Sequence, residues 1–101
     1  MSETTIPTPE QVEALLLRGP YHQWLGLMVE AVGQGEITIR ATWREDWVVN
    51  PDRRYTHGGI LSAIIDVAAD YAIAAKLGRP VPTIDMRVDF HKAAMPGDLF
   101  C

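Results

Sequence analysis

Two features in the middle of the chain could carry out chemistry together: a carboxylate inside an apolar segment, and a histidine followed by two glycines. The segment from Ile60 to Leu77 is apolar at all but four positions, and Asp66 is the carboxylate set most deeply among aliphatic neighbours. Such a carboxylate is suited to act as a general base or as a nucleophile. An aspartate on the one solvent-exposed seam of a helix gives the same pattern, so the residues alone leave both interpretations open.

The sequence His57-Gly58-Gly59 stands immediately before the apolar segment. If that segment is a helix, its first backbone N–H groups have no partner inside it, and the helix dipole makes them attractive to negative charge. Glycine also lets a ligand approach the backbone closely. The position would therefore suit an oxyanion forming on a carbonyl group. An ordinary turn from a loop into a helix accounts for two glycines equally well.

The chain upstream is predicted to begin with a short amphipathic helix. Thr8, Pro9 and Gln11 form a helix start of the capping-box type, and Gly19-Pro20 ends the helix. The apolar stripe of this helix consists of Val12, Leu15 and Leu16. The following stretch, YHQWLG, is predicted to be a short turn into the first strand.

Alternation of apolar and polar residues predicts strands on both sides of the long helix. Residues 27–44 read as a β-hairpin with its turn at Gly33–Gly35, and the long helix is predicted to end at Gly78. A third strand is predicted over Thr83–His91, and Leu99–Cys101 begins a fourth. The predicted core face of the third strand consists of Ile84, Met86, Val88 and Phe90.

The composition and net charge argue against several classes of protein. The 101 residues suit a single domain, and the net charge of −4 argues against a general binder of nucleic acid or membrane surfaces, because no basic patch supplies the attraction. Cys101 is the only cysteine, so a reducing compartment is expected. The first ten residues lack the pattern of a secretory signal, and Asp66 and Asp70 interrupt the apolar segment. These observations predict a cytoplasmic protein without a membrane span.

The combination of motifs resembles a known family. Asn50, His57-Gly58-Gly59, Asp66 and the later Pro96-Gly97-Asp98 are similar to the signature of hotdog-fold acyl-CoA thioesterases, in particular the PaaI-like group of the phenylacetate pathway. The likeness extends over roughly residues 20–99. It implies an α+β hotdog fold, in which a long central helix packs on an antiparallel sheet. It also implies a homodimer or homotetramer with active sites at the subunit interface.

The resemblance implies that about half of the usual sheet is present in these 101 residues. We therefore expect a single hotdog thioesterase domain over residues 1–101 that is incomplete at its C-terminus. Unpaired strand edges and a partly uncovered helix would then favour poor solubility or obligate association with another subunit.

The resemblance also implies a role for each residue of the signature. Asp66 would be the catalytic carboxylate, acting as general base on water or as nucleophile toward the thioester. The Gly58 N–H would polarise the thioester carbonyl, Asn50 would help to place that carbonyl or the water, and His57 would orient the loop. Thr83 would hold the water, from the subunit opposite Gly58.

Substrate contacts are expected around the same motif. Gly59 would allow close approach of the substrate, and Arg53 and Arg54 could meet the phosphates of coenzyme A, although an ordinary solvated basic pair fits them as well. Asp70 is either a second polar residue of the pocket or a solvent-facing one. No histidine and cysteine pattern typical of a metal site is present, so we predict no metal and no cofactor apart from the coenzyme A of the substrate.

The function predicted from these residues is hydrolysis of a small, aromatic or medium-chain acyl-CoA to the free acid and coenzyme A. A non-catalytic acyl-CoA-binding or truncated, inactive module on the same scaffold is the first alternative. A hotdog enoyl-CoA hydratase, using His57 with a carboxylate, is the second. The residues determine neither the acyl group nor the choice between dimer and tetramer.

Overall fold

The structure, a computed structural model, describes residues 6–77 and 82–101. Its elements in chain order are α1 (Pro9–Leu16), α2 (Pro20–Leu25), β1 (Leu27–Gly33), β2 (Glu36–Ala41), a 3-10 helix (Glu45–Trp47), α3 (Gly58–Leu77) and β3 (Leu99–Phe100). Helix α3 packs on a three-stranded antiparallel sheet of order β1-β2-β3. The predicted helix end at Gly78 lies outside the described residues.

Helix α1 begins with the predicted capping box. The Thr8 hydroxyl accepts the Gln11 N–H at 3.1 Å, and the Gln11 side chain accepts the Thr8 N–H at 2.9 Å. Val12 and Leu16 are buried, but Leu15 is 59% exposed, so the buried stripe is narrower than predicted.

The predicted turn YHQWLG is instead the short helix α2, and this expectation was wrong. Pro20 occupies the first helical position, where a missing N–H costs nothing, and Gly26 ends the helix in the left-handed conformation with φ 67°. The six helical residues bring Leu25 into the core, where it is fully buried.

The hairpin forms as predicted in position but contains an irregularity. Val29 pairs with Ile39 and Ala31 pairs with Thr38, so one extra residue bulges from β1 between them. The bulge reverses the inward and outward faces beyond it. As a result Ala31 is exposed although Val29, two residues before it, is buried, and Val32 packs against the core.

Helix α3 buries one stripe against the sheet. Ile60, Ile64, Val67 and Ala68 are buried and recur at helical spacing. They pack in one cluster with the fully buried Trp47. Within residues 6–77 and 82–101, no helix is both long and apolar enough to cross a membrane.

The third predicted strand is not a strand, and its predicted core face was wrong. Residues 82–91 have no regular secondary structure, and Ile84 is 97% exposed, with Met86 and Phe90 also exposed. A strand needs a neighbour that accepts and donates its backbone hydrogen bonds, and no strand of the described residues runs beside this segment. The segment instead lies along the outer face of α3.

Strand β3 joins the free edge of β2, and Asp98 anchors this junction. Ala41 pairs with Leu99, and the Asp98 carboxylate accepts the Trp43 N–H at 2.7 Å and two guanidinium bonds from Arg40 at 2.7 and 3.0 Å. These donors hold the pKa of the Asp98 carboxyl below its usual value, the Trp43 N–H most of all. The carboxylate therefore stabilises the folded chain in its charged form.

We expect acid to weaken this junction. A lowered pKa in the folded state means that the Asp98 contribution is complete above its ordinary value of 3.8 and is lost as the pH falls below it. Asp98→Asn should lower Tm at neutral pH and flatten the fall of Tm between neutral pH and about pH 3. Thermal unfolding followed by circular dichroism measures both effects, and an equal acid dependence in the two proteins would contradict the assignment.

Candidate active site

Helix α3 begins with a cap supplied by the histidine of the motif. The His57 Nδ1 atom accepts the Gly59 N–H at 2.8 Å, and the His57 carbonyl accepts the Ile60 N–H at 3.0 Å. Accepting at Nδ1 places the ring proton of a neutral imidazole on Nε2. Of the two glycine N–H groups, that of Gly59 is thus occupied, whereas that of Gly58 has no acceptor among the described residues.

The missing side chain of Gly58 leaves room for an aromatic ring. A Cβ atom built there would lie 3.3 Å from Cζ of Phe90, tighter than an ordinary van der Waals contact. Phe90 itself is 54% exposed, so its ring covers the start of α3 from the solvent side. Glycine therefore allows the closest packing here, because a Cβ atom would require the Phe90 ring to shift by a few tenths of an ångström.

Asp66 contacts the segment that follows α3. The Thr83 hydroxyl donates to Asp66 Oδ1 at 2.5 Å, a short bond between a hydroxyl and a carboxylate. Asp66 is half-buried, two helical turns after Gly58. The family resemblance implies a role in the site for both Asp66 and Thr83, and the structure places the two side chains in contact within one chain.

Asp66 and Thr83 line a groove between α3 and residues 82–86. Its volume is about 470 Å³. Most of its other lining is apolar, including Ile65, Ile73, Ile84 and Met86. Asp70 also lines the groove, and its Oδ1 is buried without a hydrogen-bond partner among the described residues. The groove therefore combines an apolar surface with a carboxylate and a hydroxyl at one place.

Gly58 and Asp66 do not meet within one chain. They are eight residues apart on the same helix, which separates them by about 12 Å along the helix axis. A carbonyl group that contacts both an oxyanion donor and a base needs each of them at about 3 Å. One chain therefore presents two separate halves of the predicted site.

The loop before α3 holds the other predicted residues. The Asn50 side-chain oxygen accepts the N–H groups of Asp52 at 2.9 Å and Arg53 at 3.0 Å, so it shapes its own loop and leaves its NH₂ for other partners. Arg54 binds both oxygens of Glu45, at 2.6 and 2.7 Å. The Arg53 guanidinium contacts the Tyr55 hydroxyl at 3.3 Å.

Two residues of this region were absent from the sequence prediction of the site. Glu45 carries no local signal, because its partner Arg54 is nine residues away across a loop. Phe90 was assigned to the core by its alternation with polar neighbours, and only the path of residues 82–91 places it over Gly58.

Comparison with known proteins agrees with this architecture. The sequence model of the thioesterase superfamily matches residues 54–101. A crystal structure of a protein from the thioesterase superfamily superimposes with a TM-score of 0.86 at 46% identity, and the match covers 91% of this chain and 70% of that one. The chain belongs to the thioesterase superfamily. The predicted α+β hotdog fold, a long helix packed on an antiparallel sheet, is thereby confirmed.

Two further proteins are similar to this chain, one with a solved structure and one known by its sequence. A crystal structure of a Pseudomonas aeruginosa protein superimposes with a TM-score of 0.76 at 28% identity, covering 93% of this chain and 72% of that one. A predicted esterase of Halobacterium salinarum is 35% identical over an alignment of 81 residues, and the match covers 75% of this chain. The chain spans 53% of the length of that relative.

Proposed function

We propose that this thioesterase-superfamily chain hydrolyses the thioester of a small, aromatic or medium-chain acyl-CoA, as in the PaaI-like group. The observation that carries the proposal is the contact between the Thr83 hydroxyl and the Asp66 carboxylate at 2.5 Å beside an apolar groove. A hydroxyl and a carboxylate in contact can hold and deprotonate a water molecule, and an apolar groove can take an acyl group. The predicted esterase of Halobacterium salinarum gives independent support for ester or thioester hydrolysis.

Asp66 acts in this proposal in one of two ways. As a general base it takes a proton from the water held by Thr83, the resulting hydroxide attacks the carbonyl carbon, and the C–S bond breaks so that the thiolate of coenzyme A leaves and takes up that proton. As a nucleophile it attacks that carbon directly, the thiolate of coenzyme A leaves, and a water molecule then cleaves the acyl–Asp66 anhydride to release the acid and restore the carboxylate. In either case the Gly58 N–H stabilises the oxyanion, and the NH₂ group of Asn50 helps to place the carbonyl or the water.

The two halves of the site come from different subunits in this proposal. Because Gly58 and Asp66 are separated by about 12 Å along one helix, a second copy must supply one of them. A homodimer is the smallest such assembly, and a homotetramer contains the same interface. Exposed apolar side chains on α3 and on residues 82–91, such as Ile73, Ile84 and Phe90, support association through this face.

We also propose a cytoplasmic location and acyl-CoA as the partner. The exposed Cys101 is the only cysteine, which supports a cytoplasmic protein. The net charge of −4 supports acyl-CoA, rather than nucleic acid or a membrane surface, as the partner. No metal or separate cofactor takes part in the proposed reaction.

One assay tests the reaction class. Release of free thiol is measured from a panel of short, long and aromatic acyl-CoAs, beside hydration of an enoyl-CoA and equilibrium binding of a non-hydrolysable thioether analogue. Thiol release from at least one acyl-CoA is expected. Analogue binding without turnover would instead indicate an acyl-CoA-binding module, and hydration without thiol release would indicate a hydratase that uses His57.

Removing the Thr83 hydroxyl should slow hydrolysis without unfolding the chain. Thr83→Val keeps the shape of the side chain but cannot hold a water, so we expect kcat to fall by about 10-fold to 100-fold. Thr83→Ser keeps the hydroxyl and should stay within about threefold of wild type. Steady-state kinetics of the three proteins measure this difference, and equal rates for Val and Ser would exclude a role for the hydroxyl.

A further inference from the structure

The loop between the 3-10 helix and α3 determines where the Gly58 N–H lies. Val48 and Thr56 form an antiparallel bridge that closes this loop. Just beyond the bridge, the His57 N–H donates to the carbonyl of Trp47 at 2.7 Å, and Trp47 is fully buried in the core. The orientation of the first residue of α3 therefore depends on how the loop closes onto Trp47.

Arg54 holds this loop in an unusual conformation. Its φ of 63° is left-handed, and among the described residues no other non-glycine residue has a positive φ. A residue with a side chain disfavours this conformation because Cβ approaches the backbone carbonyl. At Arg54 this backbone conformation is stabilised by two contacts. The Arg54 N–H donates to the Asn50 carbonyl at 2.6 Å, and the guanidinium at the end of the side chain binds Glu45.

Glu45 connects this arginine to a rigid part of the fold. It begins the 3-10 helix that ends at the buried Trp47. Both carboxylate oxygens accept from Arg54, at 2.6 and 2.7 Å, and the guanidinium lies 5.5 Å from the centre of the Trp43 ring. The hydrogen bonds from Arg54 also hold the pKa of the Glu45 carboxyl below its usual value.

We propose that Glu45 and Arg54 form a positioning pair for the Gly58 N–H, so that Arg54 maintains the geometry of the site and does not bind the phosphates of coenzyme A. This inference rests on the proposed thioester hydrolysis. The guanidinium of Arg54 is engaged by two short bonds, whereas Arg53 makes one longer contact with Tyr55 at 3.3 Å. Arg53 is therefore the better candidate for a phosphate ligand.

Glu45→Gln tests the pair with a minimal change, because it keeps the size of the side chain and removes the charge. We expect kcat for an acyl-CoA to fall roughly tenfold or more while KM changes less than about twofold, since a displaced oxyanion donor weakens the transition state and leaves the coenzyme contacts intact. The two side chains are 43% and 63% exposed, and exposed ion pairs add little to stability. Tm should therefore move by no more than about two degrees.

Further variants distinguish a positioning role of Glu45 and Arg54 from a general effect of removing a surface charge. Glu36→Gln makes the same chemical change at the β1–β2 turn and should leave kcat unchanged. Arg54→Gly removes the guanidinium where glycine adopts a left-handed backbone readily, and we expect the same loss of kcat as for Glu45→Gln. The exchanged pair Glu45→Arg with Arg54→Glu should recover part of that loss. Arg53→Ala should raise KM and weaken inhibition by free coenzyme A.

A second measurement does not depend on turnover. Hydrogen–deuterium exchange of the backbone amides of residues 50–58 should be faster in Glu45→Gln than in wild type, and unchanged in Glu36→Gln. If wild type hydrolyses no acyl-CoA, the proposed function fails, and this exchange still decides whether the pair holds the loop. Unchanged exchange overturns the proposal. The proposal is also overturned if Arg54→Gly raises KM and weakens inhibition by coenzyme A while kcat is unchanged, because Arg54 would then be a phosphate ligand.

Discussion

Asp66→Asn is expected to lower kcat for thioester hydrolysis by about 10²-fold to 10⁴-fold, with a much smaller change in KM. Asparagine has the shape of aspartate and its side-chain oxygen can still accept the Thr83 hydroxyl, so the contact between α3 and residues 82–91 is retained. What is lost is the negative charge, which both the base and the nucleophile mechanisms require. The effect should therefore appear in the chemical step and not in folding.

The measurement compares thiol release and thermal unfolding in wild type and Asp66→Asn. Asp70→Asn is the matched control, because it makes the same change one helical turn further along the same groove, and a much smaller loss is expected there. A rate for Asp66→Asn within about threefold of wild type would remove Asp66 from the mechanism. A burst of coenzyme A release equal to the number of sites, measured in wild type by rapid mixing, would show that coenzyme A leaves before the rate-limiting step, as expected if Asp66 acts as a nucleophile and forms an acyl-enzyme.

Gly58→Pro is expected to lower kcat by about 10²-fold to 10³-fold, because proline has no N–H to offer to the oxyanion. Gly58 is the first residue of α3, and proline is accepted at the first position of a helix. The helix should therefore still form, which circular dichroism can verify. Near wild-type turnover by this variant would mean that the oxyanion donor lies elsewhere.

Gly58→Pro also adds side-chain atoms beside Phe90, and Gly58→Ala is the control for this crowding. Gly58→Ala keeps the N–H but adds a Cβ atom that lies 3.3 Å from the Phe90 ring. We expect a smaller loss for Gly58→Ala than for Gly58→Pro, and recovery of that loss when Phe90 is shortened in the double variant Gly58→Ala with Phe90→Leu. If alanine and proline cost the same, crowding against Phe90 and not the N–H determines the rate.

Mixing two inactive variants tests whether the halves come from different subunits. In a mixed dimer of Asp66→Asn and Gly58→Pro chains, one site receives both defects and the other receives two intact residues. Equal mixing after reversible dissociation should therefore recover about a quarter of wild-type activity. If Gly58 and Asp66 act within one chain, every site of the mixed dimer keeps one defect and no activity returns.

Much of the fold follows from local sequence signals. The capping box at Thr8 and the proline after it define the start of α1, since these interactions join residues only three positions apart. The long apolar run after His57-Gly58-Gly59 is a helix because its core residues recur at helical spacing. The hairpin turn likewise follows from Gly33 to Gly35, where Gly35 has φ 73°.

The prediction failed where a segment depended on a distant partner. Residues 83–91 alternate like a strand, yet alternation describes only which way side chains would point if a neighbouring strand were present. The bulge in β1 shows the same dependence, because its position is set by pairing with β2 and by the Glu13 carboxylate of α1, which accepts the Val29 N–H at 2.8 Å.

The sequence by itself determined that a long apolar helix begins at a His-Gly-Gly motif and carries Asp66 two turns later, and its motif identified the superfamily. These are properties of neighbouring residues along one helix, so spacing suffices to predict them. Only the tertiary structure decided that Thr83 reaches Asp66, that Phe90 covers Gly58 and that Glu45 holds Arg54. Each of those contacts joins residues between 9 and 32 positions apart, and such contacts depend on the path of the whole chain.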